Sequence, residues 1–569
     1  MALIDKASLL MVPSTYEAGK LYNVLPSGNR APDSTDQNSG YDQTRADFDF
    51  DRGSNTAATR IGSDGLLKKY RENKLLQSNN FGTTWANVNS SDTSGQEGYD
   101  GTTNAWLLTT TSAGGRLDQS VSLSGVQSFS IYAKANTFDF IFLLGLGASD
   151  RRANFDLANG VVATTQNLID SSIESIGNGW YRCSLTYNDT ISAVRVYGLQ
   201  ADNDFSGTTG SIYIQNAQLE SGLVSTDYLD STSVTGKAGV LVDLPRINYD
   251  ANGENGALLL EPSRANLLPH SEYFNGGFSG SFETNAAISP DGTMNASKFV
   301  FTQGASYPQF YTFLSGLVVG QQYTSSIYIK KTEASEDFQM ISSGVSFIPT
   351  DEWQRVVRSF TATSTSQSVL VNYVPSVGVG VINEVYVAFA QVEAGSYATS
   401  YIPNHGESGG VTRAADFGIA NDVDTNQSEG TLFVDFDIDA NAGGTYDCII
   451  GLGDGSSANR FGILRNDDNT IRVYMVTAGA SQVEFDTTQS SGRLKIGFAY
   501  KANDAAIYVN GTQELTDSSF SVSPNTKVAF NQYLHVLNSN TYTTQASIRQ
   551  TALFKERLTN EELATLTTL

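Results

Sequence analysis

A segmental duplication constrains this chain more than any other feature of it. DGTTNAWLLTTT (100–111) returns as DGTMNASKFVFT (291–302), and related stretches, KLLQSNNF (74–81) and NLLPHSEYF (266–274), precede the two copies. FSIYAK (129–134) answers SSIYIK (325–330), and NGWYRCSLT (178–186) answers DEWQRVVRSFT (351–361). AQLESGLVSTDYL (217–229) answers AQVEAGSYATSYI (390–402). Matches kept in one order mean two homologous modules, because fixed self-similarity marks repeated architecture. The spacing tightens in the second copy, so that copy has lost a piece; NFDLANGVV (154–162) has no clear partner ahead of Trp353.

Each module reads as strands. Along SFSIYAKA, Phe129, Ile131 and Ala133 share one face while Ser130, Tyr132 and Lys134 share the other, the period of a half-buried antiparallel strand. VRVYGLQ (194–200), SIYIQNAQLE (211–220) and EVYVAFAQVE (384–393) alternate alike, with DG, NG and SG turns between strands. About eight to ten short strands in roughly 140–155 residues predict a jelly-roll β-sandwich. Trp180 and Trp353 hold the same place in both copies and are expected to be core plugs rather than ligand platforms.

A third β unit starts near residue 428. TLFVDFDID (431–439) sends Leu432, Val434, Phe436 and Ile438 inward and Asp435, Asp437 and Asp439 outward. RFGILRNDDNTIRVYMV (460–476) is a hairpin with NDDN at its turn. A further turn lies at Asn503-Asp504, and Asn510-Gly511 suits a type I′ turn, which needs positive φ. LTNEELATL closes the sequence, with Thr559 placed to cap a helix and Glu562 to complete a capping box. The expected layout is an extended N-terminal arm (1–72), a jelly roll (73–230), a linker (231–264), a second jelly roll (265–404), a linker (405–427) and a last sandwich (428–569). The arm, with little periodicity, is expected to order by lying on something else. Both linkers are expected to run over the surface.

Charge narrows the functional classes. With 35 Lys+Arg against 59 Asp+Glu the formal net charge is −24, and no basic cluster exists to displace counterions from a phosphate backbone, so nucleic acid and anionic membranes are not expected partners. Two cysteines, Cys183 and Cys448, and three scattered histidines, His270, His405 and His535, build neither a disulfide framework nor a common metal or nucleophile site. The start, MALIDKASLL, lacks a signal-peptide pattern, and the longest apolar run, IFLLGLGA (141–148), is a strand. The reading is synthesis in a reducing cytoplasm without membrane insertion.

Three segments resemble stretches repeated across structural proteins of tailed bacteriophages: FDFDRGSNTAATRIGSDGLL (48–67), ALLLEPSRANLLPHSEYF (257–274) and SYIPNHGESGGVTRAADFG (400–418). Lys20-Leu21-Tyr22, Arg52, Thr59-Arg60 and Gly65-Leu66 match the leading pattern. Leu258 to Pro262, Arg264, Asn266 and Leu267 match a jelly-roll opener, and Gln391, Glu393, Gly395, Thr399, Tyr401, Ile402 and Pro403 match its close. AIYVNGTQ (506–513) and ALFKERLTNEEL (552–563) make the last unit similar to concanavalin A-like lectin/laminin-G sandwiches. The resemblance implies an all-β virion protein: two tandem carbohydrate-binding-like jelly rolls, a concanavalin A-like sandwich and an arm that attaches to other virion proteins. It implies a tail-fibre-like appendage, homo-oligomeric, that adheres to host surface polysaccharide. A capsid decoration, head fibre or neck/tail connector without host binding is the alternative, and a polysaccharide depolymerase a second one.

Catalysis finds little support in the residues. Retaining glycosidases need two carboxylates about 5–5.5 Å apart, and the row Asp435, Asp437, Asp439 lacks the glutamates of a glucanase strand. Those acids read as a solvated face that discourages edge pairing. No cofactor is expected. A structural calcium is a candidate at NDDN (466–469) or GDGSSAN (453–459), although Asp, Asn and Gly are ordinary turn residues. GLGASD (145–150) and GLGDGS (451–456) lack the Lys and helix of a phosphate loop and read as turns. Sugar faces stack on exposed aromatics, and Tyr474, Tyr508 and Tyr533 are the candidate glycan contacts.

Overall fold

The computed structural model describes residues 3–15, 49–52, 57–274, 277–306, 308–342, 344–375, 382–420, 425, 428–438, 446–536 and 542–569. The chain is all-β, with three two-sheet sandwiches and one short α-helix among the described residues. In the first sandwich, one sheet holds Ala105–Thr110, Gly210–Ser221, Val126–Ala135 and Trp180–Asn188 in that spatial order. The facing sheet holds Arg116–Leu123, Ile191–Leu199, Phe140–Gly147 and Arg151–Asp156. The chain crosses repeatedly between sheets, as a jelly roll does. Phe129, Ile131 and Ala133 enter the shared core with Leu143, Leu185 and Val196, as the alternation predicts.

The second sandwich repeats this order. Ala296–Phe301, Glu384–Ala394, Gln322–Lys331 and Gln354–Thr361 face Gln309–Ser315, Ser366–Tyr373, Met340–Ser342 and Val345–Phe347. The lost piece is larger than the sequence suggests: among the described residues, Val161–Gln166 and Asp170–Gly177 of the first module, one edge strand in each sheet, have no counterpart in the second.

Details of the duplication survive to the atom. Ile131 pairs with Cys183, and Ile327 with Val356. A bulge follows Ser130 in one module and Ser326 in the other. At the bulge Asn216 takes φ 53° and its counterpart Phe389 takes φ 52°. Asparagine tolerates that left-handed region, whereas a bulky side chain there is strained and persists only where packing enforces it. Phe389 is indeed buried against Leu67 and Tyr401.

The Gln-x-Glu closing pattern is explained by hydrogen bonding inside each module. Glu220 accepts from the Thr226 backbone N–H, the Thr226 hydroxyl and the Gln218 amide, each at 2.7 Å. Glu393 accepts from the Thr399 N–H, the Thr399 hydroxyl and the Gln391 amide, again each at 2.7 Å. Gln218 in turn accepts from Leu229 N–H, and Gln391 from Ile402 N–H, both at 2.7 Å. A buried carboxylate with every bond supplied locks the returning chain onto the last strand. These residues are structural.

Two expectations need correction. Trp180 is buried, but in a small aromatic cluster with Tyr132 on the outer face of its sheet, not in the inter-sheet core. Trp353 is half-buried, and its indole N–H donates to the Ile288 carbonyl at 3.2 Å.

The arm, expected to order by lying on something else, and the linkers, expected to run over the surface, supply strands to the last sandwich. Ala7–Met11 pairs with Ala546–Phe554, which also pairs with Ala257–Leu260. Asp49–Asp51 pairs with Phe417–Ala420, which pairs with Lys527–Phe530. Leu9, Met11, Ile247, Leu258 and Leu260 therefore sit in one core with Val434, Phe461 and Phe498. The Thr59–Ile61/Leu67–Lys69 hairpin instead covers the second jelly roll, where the Lys69 ammonium reaches Glu272 at 3.0 Å and Asp291 at 2.7 Å. Residues 1–2, 16–48 and 53–56 of the expected arm lie outside the described residues.

A buried charge hub ties these pieces together. Arg246 contacts Glu261 at 2.8 Å and Asp416 through Nε at 2.9 Å, and Arg413 contacts Glu261 at 2.7 Å. Arg52 reaches Asp416 at 3.5 Å, and the Asn531 amide donates to the Asp416 carbonyl at 2.9 Å. Arm, both linkers and the last sandwich thus meet in one network. Burying charges is costly unless they are paired and hydrogen-bonded, so this junction demands a defined geometry.

Candidate functional site

The last sandwich packs a sheet containing Glu429–Ile438, Gly492–Lys501, Asp504–Val509 and Ala546–Phe554 against one containing Asp447–Gly453, Arg460–Arg465, Ile471–Thr477 and Ala480–Asp486. Their outer faces differ. On the first, helix α1 (Asn560–Thr567) forms a third layer, capped as expected by the Thr559/Glu562 box. On the second lies an open pocket of about 510 Å³.

Strand alternation builds that pocket. Phe461, Ile463, Ile471, Val473 and Met475 point into the core. Arg460, Leu464, Arg472, Tyr474 and Val476 are left to line the outside, joined by Tyr446, Tyr533, His535 and Tyr542 from strand ends. Gly462 sits across from Tyr474 in the strand pair. A Cβ there would stand 2.6 Å from Tyr474 Cε1, so glycine is what lets the ring lie down on the sheet. The Arg460 guanidinium lies 5.8 Å from the Tyr474 ring centre and Arg472 lies 5.2 Å from that of Tyr446, both cation–π distances. Tyr533 meets Tyr542 edge-on at 5.0 Å, and its hydroxyl donates to the Tyr446 carbonyl at 2.8 Å.

Electrostatically the two ends of the pocket differ. Arg472 is held by Asp486 through paired 2.7 Å bonds and also by Glu484. Burial, then the nearby Arg460 charge, push His535 below the usual histidine value and favour its neutral form. Burial pushes the Tyr474 and Tyr533 hydroxyls upward, so both stay protonated donors. Among the described lining residues Glu484 is the single carboxylate, and it is ion-paired, so no pair of convergent acids stands in the pocket. The arrangement offers flat aromatic faces, hydroxyls and a guanidinium: surfaces for holding a polar ring.

Of the tyrosines singled out from sequence, the structure brings Tyr474 and Tyr533 together here. Tyr508 is elsewhere: 5% exposed, on the outer face covered by α1, its hydroxyl donating to Gln513 Oε1 at 2.7 Å. It is a packing residue. Tyr446, Tyr542, Arg460, Arg472 and His535 were not anticipated, although the outward set of RFGILR and IRVYMV marks Arg460, Arg472 and Tyr474 together. The acidic row also differs from expectation. Asp435 points away from the core but is buried, because Arg493 clasps it at 2.9 and 2.6 Å; Asp437 is paired with Arg549. Asp439 lies outside the described residues.

In the candidate calcium loops, Asp454 and Asp468 are hydrogen-bonded within their own turns. Asp454 accepts from Ser456 N–H and the Asn459 amide, both at 2.8 Å, and Asp468 accepts from Thr470 N–H at 2.9 Å. Among the described residues no group of three His, Cys, Asp or Glu side chains could hold a metal ion. Also among the described residues, no helix is long and apolar enough to cross a membrane.

No protein-family model and no curated protein matches the sequence. Solved structures similar to parts of it include the Ruminococcus gnavus IT-sialidase CBM40 bound to α2,3-sialyllactose, at 14% identity over 25% of this chain and 84% of that one, with a TM-score of 0.22. The NanB sialidase of Streptococcus pneumoniae matches at 17% identity over 25% of this chain and 24% of its own, TM-score 0.22. The botulinum neurotoxin serotype D binding domain matches at 14% identity over 26% of this chain and 40% of its own, TM-score 0.22. Likeness this partial carries no argument about ligand.

Proposed function

We propose that this chain is a glycan-binding structural protein without catalytic activity, serving as a homo-oligomeric attachment appendage of a tailed-phage virion. The observation that carries glycan binding is the open pocket of Tyr446, Tyr474, Tyr533 and Tyr542, with Arg460 against the Tyr474 ring and Arg472 against the Tyr446 ring. Sugar rings present apolar C–H faces to such aromatics and hydroxyls to their polar rims. One shallow pocket gives weak binding, and repetition over identical subunits multiplies it into avidity. The virion setting and the attachment to other virion proteins rest on the phage-like segments at 48–67, 257–274 and 400–418.

The test is the full-length chain, displayed multivalently on an array of bacterial surface polysaccharides. Binding that disappears in Tyr474→Ala is expected; no binding at any density would overturn the reading. Immunogold labelling of virions addresses location, and label at the tail tip is expected.

A second reading, a capsid or connector block without host binding, is favoured by the Arg246–Glu261–Asp416 hub, which welds arm, linkers and last sandwich as a load-resisting part requires. Label on the capsid together with a silent array would support it.

A further inference from the structure

Resting on the glycan-binding reading, we infer that the pocket selects a carboxylate-bearing sugar, a uronic or sialic acid residue, through Arg460.

The reason is an imbalance of partners. In a chain of formal net charge −24, arginines of this sandwich find acids readily: Arg472 holds Asp486, Arg493 holds Asp435, Arg549 holds Asp437 and Arg557 holds Asp504. Arg460 differs. Among the described residues no carboxylate is paired with it: it meets the Ser457 carbonyl and the ring and hydroxyl of Tyr474, and its charge acts on Tyr533 and His535. A guanidinium carries five N–H donors in a planar fork that matches a carboxylate. The Ser457 carbonyl and the Tyr474 side chain anchor that fork, which lowers the entropy lost when a ligand is gripped.

Charge count points to a monoanion. Burial and the Arg460 charge favour the neutral form of His535, which offers a hydrogen-bonding nitrogen rather than a second positive charge. Arg472 is already occupied by Asp486 and Glu484, whose two negative charges outweigh its one positive charge. One guanidinium without a carboxylate partner among the described residues, beside an aromatic ring, suits a sugar with a single carboxylate better than a doubly charged phosphate ester. The sugar ring then lies among Tyr474, Tyr533 and Tyr542, and its carboxylate bridges to Arg460.

The experiment compares polygalacturonate, hyaluronan and polysialic acid, each beside its carboxyl-reduced form, for binding to the full-length protein at low and high salt. At least one native polymer should bind about tenfold or more tightly than its reduced form, the low end for charge-assisted hydrogen bonds, with the ratio shrinking in high salt. Arg460→Gln should bring the ratio near one, and Arg460→Lys, which keeps the charge and loses the fork, should fall between. Native and reduced forms binding alike would overturn the carboxylate assignment and leave glycan binding standing. An unchanged ratio in Arg460→Gln would overturn the role of Arg460. Binding to none of these polymers and to no neutral glycan would overturn both the assignment and the reading beneath it.

Discussion

Gly462 and Tyr474 face each other across neighbouring strands so closely that a methyl group on the glycine would stand 2.6 Å from the tyrosine ring. The flat aromatic floor of the pocket therefore depends on a missing side chain. Gly462→Ala should lift the ring, at about 1–3 kcal/mol in overpacking, and weaken glycan binding about tenfold while the chain stays folded. Calorimetric titration beside a thermal melt checks this.

Acid should loosen the hub. Burial opposes ionisation of Glu261, but Arg413 and then Arg246 overcome it and hold the carboxyl at about 2 against 4.5. A depressed folded pKa gives stability that is complete above the unfolded value and lost as pH falls toward the folded one. Thermal stability should thus drop between pH 4.5 and 2. Glu261→Gln should lower stability at pH 7 and flatten that acid slope. A series of melts from pH 7 to 2 on both proteins reads the difference.

The paired closing networks predict paired effects. Glu393→Ala strands the Thr399 N–H and the Gln391 amide and should cost about 3 kcal/mol in the second module. Glu220→Ala should do the same to the first. Hydrogen exchange is the readout: protection should fall at Ile402 in one variant and at Leu229 in the other, since each N–H is held by the glutamine beside the lost acid. Loss of protection in both modules from one substitution would contradict independent locking.

The segment 428–569 should not fold as a stand-alone domain. It lacks Leu9, Met11, Ile247, Leu258 and Leu260 from its core and the strands that carry them. Expressed alone, it should bind a hydrophobic dye and show poor amide dispersion, whereas the full chain should do neither. A well-dispersed spectrum from the fragment would refute this.

Local chemistry made much of the architecture legible. Period-two alternation placed Phe129, Ile131, Leu432, Val434 and Phe436 in their cores because pleated strands turn successive side chains to opposite faces. Asn510-Gly511 gave its turn, with φ 49° and 86°, because few residues accept positive φ in succession. The internal matches gave two alike modules.

Tertiary structure decided the rest. Ala7–Met11 pairs with a strand more than five hundred positions away, and backbone hydrogen bonding leaves no sequence mark of its partner. Tyr474 and Tyr508 alternate outward from the same core alike; only the docking of α1 over one sheet buries the second and leaves the first open. Alternation states which side of a strand is outward, but whether outward means solvent depends on what the folded chain lays over it.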